Sequence, residues 1–169
     1  MVSFAPAPLL SALAQSSAVG FSGSRSAALV PSVALSVFQA VPPSSRVFVG
    51  CARGLDSAAR SVFPRAVVYR ASSFGVGRGS FAARSVALVR GLASCSAPVF
   101  VSFPSGACPP ALVPSSSPSR CFAGFGSGSW ASLAFAAGLG VPCFVFLPAG
   151  VAPPPLWGFV SLGGGWFSV

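Results

Sequence analysis

One glycine-rich segment has the residue types and the spacing of an anion-binding turn. Gly50-Cys51-Ala52-Arg53-Gly54-Leu55-Asp56 follows an apolar run at 47–49 and precedes a helix-like stretch at 57–63. A strand that turns through glycines into a helix leaves unpaired N–H groups at the helix N-terminus, where the helix dipole also favours negative charge. The pattern therefore predicts a phosphate-binding turn. We expect Arg53 to add a charge-assisted contact, and Asp56 to cap the helix or to accept a hydrogen bond from a ribose hydroxyl.

Cys51 lies inside this turn and has two interpretations. A helix N-terminus and the neighbouring Arg53 would lower its pKa and make the thiol reactive. A free cysteine in a turn is also a small apolar side chain that packs there. The chain has five cysteines in all, with no Cys-x-x-Cys pair and no histidine. We therefore expect neither a zinc site nor a disulfide framework.

The charge balance favours an anionic partner and disfavours catalysis. The chain has ten arginines and one aspartate, without lysine, histidine or glutamate, which gives a net charge of +9 and an isoelectric point of about 11.4. Such a chain attracts nucleotides, nucleic acids or anionic lipids. General acid–base catalysis needs groups that titrate near neutral pH, and one carboxylate cannot hold a metal ion by itself. We therefore expect a non-catalytic binding protein with no metal and no cofactor.

The amino-acid alphabet supports a competing hypothesis. Ile, Thr, Asn, Lys, Glu and His are all absent, as in a compositionally biased reading frame whose product folds poorly or associates with membranes. Residues 130–148 carry no charge, and about 20 apolar residues span a bilayer. Because Gly138-Leu139-Gly140-Val141-Pro142 interrupts them, we interpret them as a helix, a turn and a buried strand. The apolar segment 1–18 has no basic start, so we expect no signal peptide and a cytoplasmic protein.

Short apolar segments alternate with helix-like or glycine-rich connections along residues 19–148. Five of them have β-type composition without strict alternation of polar and apolar residues, which is typical of a parallel sheet covered on both faces. The predicted strands are 19–22, 47–49, 66–69, 99–103 and 143–147, and the predicted helices are 31–40, 57–63, 80–92 and 129–137. The sequence therefore predicts an α/β fold, with one Rossmann-like, doubly wound domain and a mainly parallel sheet of about five strands.

Two regions lie outside these predicted elements. Residues 105–129 are so rich in Pro, Ser and Gly that we expect a long loop, which either acts as a lid or is disordered. Residues 149–169 form a tail with one run of prolines and one run of glycines. We expect this tail to fold back onto the domain through Trp157 and Trp166.

Four motifs follow the predicted strands in a fixed order. They are Gly23-Ser24-Arg25 after the first strand, residues 50–56 after the second, Phe103-Pro104-Ser105-Gly106 after the fourth, and Gly126-Ser127-Gly128-Ser129 at the start of the last helix. Together they resemble the DprA/Smf and Lonely-Guy Rossmann-like superfamily, often called SLOG. The helix around Arg78 is similar to the arginine-containing helix before the fourth strand of those proteins. The resemblance spans about residues 19–147.

The chain departs from the enzymatic branch of this superfamily. Lonely-Guy phosphoribohydrolases carry a Pro-Gly-Gly-x-Gly-Thr-x-x-Glu motif, and the resemblance implies that its glutamate is catalytic. Here Trp130 and Ala131 follow a displaced glycine run, and the chain has no glutamate. The DprA-like branch implies binding of single-stranded DNA, and arginines can replace its missing lysines in backbone contacts. Other members are inferred sensors of nucleotide-derived ligands, a role that requires only a phosphate-binding turn.

These observations lead to one favoured function and one alternative. The favoured function is non-catalytic binding of a nucleotide or a nucleotide-derived small molecule. The alternative is DprA-like binding of single-stranded nucleic acid, and we expect no membrane partner. Phe74 and Phe81, which flank Arg78, either stack on a base or pack in the core. The residues predicted to bind the ligand are Gly23, Ser24, Arg25, Gly50, Cys51, Ala52, Arg53, Gly54, Asp56, Arg78, Gly126, Ser127, Gly128 and Ser129.

Overall fold

Helices and strands alternate along most of the chain, whose residues 4–169 are described by a computed structural model. The helices are α1 (Ala7–Ala14), α2 (Val33–Ala40), α3 (Leu55–Val62), α4 (Arg78–Ala93), α5 (Pro118–Cys121) and α6 (Gly128–Gly138). The strands are β1 (Ala18–Gly23), β2 (Arg46–Gly50), β3 (Val67–Tyr69), β4 (Pro98–Phe103), β5 (Cys143–Phe146), β6 (Val160–Gly163) and β7 (Trp166–Ser168). Every predicted element between residues 19 and 148 has a counterpart here, with its ends shifted by at most two residues.

The strands form one sheet in the order β3-β2-β1-β4-β5-β7-β6. The first five strands are parallel to their neighbours, so this part of the sheet has the doubly wound order of a Rossmann-like fold. The expectation of about five strands is too low. Residues 149–169 contribute β6 and β7, which extend the sheet beyond β5 as antiparallel strands.

The C-terminal hairpin is fixed to the sheet by aromatic packing. Trp166 on β7 is fully buried, and its ring centroid lies 5.6 Å from that of Phe103 and 5.4 Å from that of Phe146. Trp157, which precedes β6, packs edge to face on Trp130 of α6 at 5.6 Å. Both tryptophans of the tail therefore lie in the interior of the domain.

Two apolar cores cover the two faces of the sheet, because successive side chains of a strand point to opposite faces. Val19, Val49 and Val101 belong to the core beneath α1, α2 and α3. Phe48 and Phe100 belong to the core beneath α4 and α6. Within the described part of the apolar segment 1–18, helix α1 packs on the first of these cores, and its residues Leu9 and Leu13 are fully buried.

The uncharged segment 130–148 divides as the sequence predicts. Most of it belongs to α6 and β5, and residues 139–142 make the turn between them. No helix within residues 4–169 is both long enough and apolar enough to cross a membrane.

The segment 105–129 packs against the domain and contains the short helix α5. Leu112 and Cys121 are buried in the core beneath α4 and α6. Two indole N–H groups bind its backbone: Trp130 Nε1 donates to the Gly106 carbonyl at 2.8 Å, and Trp157 Nε1 donates to the Leu112 carbonyl at 2.9 Å. These contacts fix the first part of the segment to α6 and to the C-terminal tail.

Candidate functional site

A cavity of about 680 Å³ lies where the order of the sheet reverses, between β1 and β4. In doubly wound sheets the connections on the two sides of this point leave in opposite directions, so a crevice opens at the carboxyl ends of the strands. Here the ends of β1 and β2 form its floor, and the first turns of α4 and α6 form its walls. The cavity is therefore at the place where this architecture binds ligands.

Most of the predicted ligand-binding residues line this one cavity. They are Gly23, Ser24, Arg25, Gly50, Ala52, Asp56, Arg78, Gly126, Ser127, Gly128 and Ser129. Cys51, Arg53 and Gly54 do not line it. The Arg53 side chain is exposed to solvent, whereas Gly54 is buried beneath the cavity wall. The turns at 50–56 and 126–129, which are far apart in the sequence, thus lie around the same space.

Gly54 holds the loop after β1 against the turn after β2. Its φ is +68°, and a side chain there would collide with the carbonyl oxygen of Ser24. That carbonyl accepts a hydrogen bond of 3.0 Å from the Leu55 N–H, while the Ser24 N–H donates to the Phe103 carbonyl at 3.3 Å. Gly54 therefore acts through backbone contact, which keeps the loop that carries Arg25 at the cavity.

Asp56 forms a buried ion pair with Arg84 of α4. Asp56 Oδ2 lies 3.4 Å from Arg84 Nη1 and accepts a hydrogen bond of 3.1 Å from the Ala52 N–H. Each of the two side chains is 10% exposed. Burial raises the pKa of Asp56 above its ordinary value, and the Arg84 guanidinium opposes that rise. The pair joins the turn after β2 to α4 across the cavity floor.

The expectation that Asp56 caps its helix is wrong. α3 begins at Leu55, two residues earlier than predicted, and Gly54 is its N-cap. Asp56 lies in the first turn, where a carboxylate still interacts favourably with the helix dipole. Its oxygen stabilises the preceding turn instead, through the Ala52 N–H.

Arg84 was not among the predicted site residues, although the sequence contained a signal for it. The buried residues of α4 recur every three or four positions and form one stripe, which consists of Ser80, Arg84, Ser85, Leu88, Val89 and Leu92. A cation on a stripe that faces the core must find a partner or a ligand. Arg84 Nη2 donates to Ser85 Oγ at 3.2 Å, but Arg84 Nε is buried with no hydrogen-bond partner among the described residues.

Arg60 is a second arginine that the sequence did not single out. It lies in the last turn of α3, and its Nη1 donates to the carbonyls of Gly50 at 2.7 Å and of Ala52 at 3.1 Å. These bonds satisfy two backbone carbonyl groups of the turn after β2. Arg60 thereby helps to fix the geometry of the turn's N–H groups and of the Asp56–Arg84 pair.

The pKa of the Cys51 thiol is lowered, although the cause differs from the one expected. Burial by itself would raise the pKa of this thiol. The Ala71 N–H, 3.2 Å from Sγ, and Arg84 Nη1, at 3.8 Å, outweigh that effect and lower the pKa below its ordinary value. The neighbours that stabilise the thiolate are therefore distant in sequence, and Arg53 is not among them.

The first turn of α6 presents backbone N–H groups to the cavity. Ser127 is the N-cap, and its hydroxyl accepts from the Trp130 N–H at 3.4 Å. The N–H groups of Gly128 and Ser129 are in the first turn, where no helical carbonyl lies four residues behind them. At Gly126 and Gly128 no other part of the described chain lies within 4 Å of the position that a Cβ atom would take, so a ligand can approach the backbone closely on that side.

Two exposed arginines border the cavity entrance. The Arg25 guanidinium lies 4.5 Å from the centroid of the Phe81 ring, in a cation–π contact. Arg78 is at the first residue of α4 and also lines the cavity. Phe81 lines the cavity and is 37% exposed, whereas Phe74 does not line it. Of the two phenylalanines considered for base stacking, Phe81 therefore has the suitable position, with Arg25 on its ring.

The arrangement is suited to binding an anion. Arg25, Arg78 and Arg84 line the cavity together with the carboxylate of Asp56. The described residues contain no group of three His, Cys, Asp or Glu side chains that could hold a metal ion. Cys121 is the cysteine that lines the cavity, whereas Cys51, which contacts Arg84, does not line it.

Comparisons of this chain with protein-family models, with curated proteins and with solved structures give no match.

Proposed function

We propose that the protein binds a nucleotide or a nucleotide-derived phosphate compound in the cavity at the β1–β4 junction, without transforming it. One observation carries the proposal. The buried cation Arg84, the exposed cations Arg25 and Arg78 and the N-terminus of α6 border the same cavity. An anion that enters would contact guanidinium groups and helix N–H groups together.

Arg84 gives the strongest reason to expect an anion. Its Nε is buried without a hydrogen-bond partner among the described residues, and its only ion pair uses Nη1. An unpaired buried donor costs about 1–3 kcal/mol, and more when the group is charged. A phosphate oxygen that accepted a hydrogen bond from Arg84 Nε would recover part of this cost.

The size of the cavity supports a small ligand. Its volume of about 680 Å³ is within the range of about 300–1,000 Å³ that is typical of small-molecule sites. The aromatic ring of Phe81 at the entrance offers a surface on which a base could stack. A phosphate at the α6 N-terminus and a base near Phe81 would use both parts of the cavity.

Binding of single-stranded nucleic acid is the alternative. It is supported by the net charge of +9 and by exposed arginines outside the cavity, such as Arg53, Arg70 and Arg120. This alternative predicts an affinity that falls steeply as salt rises, because each neutralised phosphate releases counterions.

A thermal-shift and calorimetry experiment tests both functions. The full chain is titrated with AMP and with a short single-stranded DNA, each at about 50 and about 300 mM salt. We expect saturable binding of AMP that weakens with salt far less than DNA binding would, together with a rise in the melting temperature. Steep salt dependence with DNA alone would favour the alternative. If neither compound binds, the proposed function is wrong.

Variants of exposed arginines provide a matched comparison. Arg78→Ala should weaken AMP binding by about tenfold or more, because a hydrogen bond to a charged group contributes about 1.5–3 kcal/mol. Arg65→Ala is the control, since Arg65 is also exposed but lies between α3 and β3, at the opposite end of the sheet. For Arg53→Ala we expect a smaller loss than for Arg78→Ala, because Arg53 does not line the cavity.

A further inference from the structure

We infer that this site selects its ligand by the charge of a phosphate group and accepts all four common bases in similar measure. The inference rests on the proposed function and adds to it a statement of specificity. It comes from the kinds of hydrogen-bonding groups that this chain can bring to the cavity.

The side chains that distinguish bases are almost absent from this protein. Discrimination between base edges depends on groups with a fixed pattern of donors and acceptors, mainly carboxylates, carboxamides and arginines in bidentate contact. The chain has no Asn, Glu, His or Lys, so its carboxylates and carboxamides are Asp56, Gln15 and Gln39 alone. Base selection by a carboxylate or a carboxamide would have to come from one of these three residues.

None of the three presents a well-exposed side chain to the cavity. Gln15 ends α1 and Gln39 lies on α2, and both helices cover the face of the sheet opposite α4 and α6. Neither glutamine lines the cavity. Asp56 does line it, but its side chain is only 10% exposed, and its Oδ2 already binds Arg84 and the Ala52 N–H, so at most Oδ1 remains for a ligand.

Arginines can also read a guanine edge. Arg84, however, is paired with Asp56, and Arg25 lies over Phe81. We assign Arg78, which has no ion pair among the described residues, to the phosphate.

The other polar side chains of the cavity tolerate different bases. Serines are its most numerous polar residues, among them Ser85, Ser105 and Ser132. A hydroxyl both donates and accepts, and it rotates to suit its neighbour, so it can pair with either kind of group on a base. Phenylalanine rings such as Phe122 and Phe125 also line the cavity, and every base has a face that can stack on them.

The charged side chains of the cavity, by contrast, favour a negatively charged ligand. Arg25, Arg78 and Arg84 line the cavity with one carboxylate, that of Asp56, so three positive charges face one negative charge. Arg25 lies over Phe81 and Arg84 pairs with Asp56, whereas Arg78 makes no ion pair within the described part of the chain. A phosphate dianion compensates the excess of two positive charges, and a nucleoside without phosphate leaves it uncompensated.

The test is a set of calorimetric titrations of the full chain with AMP, GMP, CMP, UMP and adenosine under one buffer condition. We expect the four dissociation constants for the monophosphates to fall within about tenfold of one another, whereas sites that hydrogen-bond a specific group discriminate by about 10⁴-fold. Adenosine should bind at least about 100-fold more weakly than AMP, because it loses its charge-assisted contacts. Arg78→Ala should narrow the gap between AMP and adenosine, and Arg65→Ala should leave it unchanged.

The possible results separate the inference from the proposed function. If one monophosphate binds more than about 100-fold tighter than the others, the site discriminates between bases. The inference is then wrong, although the proposed nucleotide binding is supported. If adenosine binds as well as AMP, selection by charge is wrong. If none of the monophosphates binds, the proposed function fails, and the inference fails with it.

Discussion

At the scale of single residues, Arg84 connects the parts of the candidate site. It lies on the buried stripe of α4, forms an ion pair with Asp56 and donates a hydrogen bond to Cys51 Sγ. Gly50 has no room for a side chain, because a Cβ atom there would collide with both Asp56 and Arg84. The glycine turn thus accommodates a buried ion pair in addition to presenting backbone N–H groups.

The first prediction concerns removal of one partner of this pair. Asp56→Ala should lower the free energy of unfolding by about 3 kcal/mol or more, because it leaves the Arg84 charge buried and uncompensated. Combining Asp56→Ala with Arg84→Met removes both charges and should restore much of the loss. Urea denaturation of the two variants measures both changes. A double variant as unstable as Asp56→Ala would show that lost packing, rather than the unpaired charge, causes the effect.

The second prediction concerns the pH dependence of cysteine reactivity. The thiolate is the nucleophile, so the pH at which alkylation reaches half its maximal rate follows the pKa. The pKa of Cys51 is lowered, chiefly by the Ala71 N–H and by Arg84 acting against the effect of burial, whereas burial raises the pKa of Cys108 to about 11. Cys51 should therefore react with iodoacetamide at a lower pH than Cys108, as measured by mass spectrometry of the peptides.

Arg84→Gln tests the cause of this shift. It removes a guanidinium that contacts Cys51 Sγ at 3.8 Å, so alkylation of Cys51 should require a higher pH than in the unaltered protein. Cys51→Ser identifies the reactive peptide. An unchanged pH profile in Arg84→Gln would mean that the Ala71 N–H alone stabilises the thiolate.

At the scale of elements, the site depends on how closely two connections approach each other. The loop after β1 and the turn after β2 meet at Gly54, where the Leu55 N–H donates to the Ser24 carbonyl. The adjacent parallel strands β1 and β2 bring these connections to the same edge of the sheet. Arg25 reaches the cavity from the first connection and Asp56 from the second.

The third prediction tests whether the close contact between these two connections stabilises the domain. Gly54→Ala places a Cβ atom against the Ser24 carbonyl at a φ of +68°, and it should lower the free energy of unfolding by about 3 kcal/mol. Gly77→Ala is the matched control, because Gly77 is also a helix N-cap with a positive φ and an extended ψ, but no atom from elsewhere in the described chain lies within 4 Å of its Cβ position, and we expect a loss of about 1 kcal/mol. Equal losses in urea denaturation would mean that only the backbone conformation matters, and not the contact with the loop.

At the scale of the whole molecule, the C-terminal hairpin protects an edge of the parallel sheet. β5 would otherwise leave an unpaired edge, which is a risk for aggregation. β7 pairs with β5, and Trp166 fills the space beside Phe103 and Phe146. Trp166 Nε1 is buried without a hydrogen-bond partner among the described residues, so shape and apolar area hold this side chain in place.

The fourth prediction follows from this packing. Trp166→Ala should lower the free energy of unfolding by about 4 kcal/mol, because it leaves a large cavity in the core. Trp166→Phe should cost much less, since it keeps an aromatic ring and removes an unpaired indole N–H. Urea denaturation of both variants measures the difference. A large loss in Trp166→Phe would mean that the lost ring volume outweighs the removal of the unpaired N–H.

The parallel part of the fold could be predicted because its signals are local. Apolar runs such as 99–103 and 143–147, separated by helix-like segments and glycines, are typical of buried parallel strands. The hairpin β6–β7 was not predicted, because both strands are short, β6 is mostly exposed, and the glycines at 163–165 were interpreted as part of a tail. Helix α1 was not predicted either, because it is only 8 residues long and Pro6 and Pro8 obscured its pattern.

The candidate site could be predicted only in part. The turns at 23–25, 50–56 and 126–129 were found because glycine and serine at the ends of strands form a recognisable local pattern. Arg84 and Arg60 were missed because their partners are distant in sequence, or are backbone carbonyls that carry no sequence signature. The role of Asp56 was misjudged because its partner, Arg84, is 28 residues away.

The sequence by itself determined the class of fold, the order of most elements and the scarcity of catalytic groups, because these follow from local apolar patterns and from composition. Only the tertiary structure decided that two glycine-rich turns border one cavity, that Asp56 pairs with Arg84 and that Arg53 lies apart from them. The physical reason is that strand order brings distant loops together, and a buried charge must be compensated by whichever group the fold brings to it.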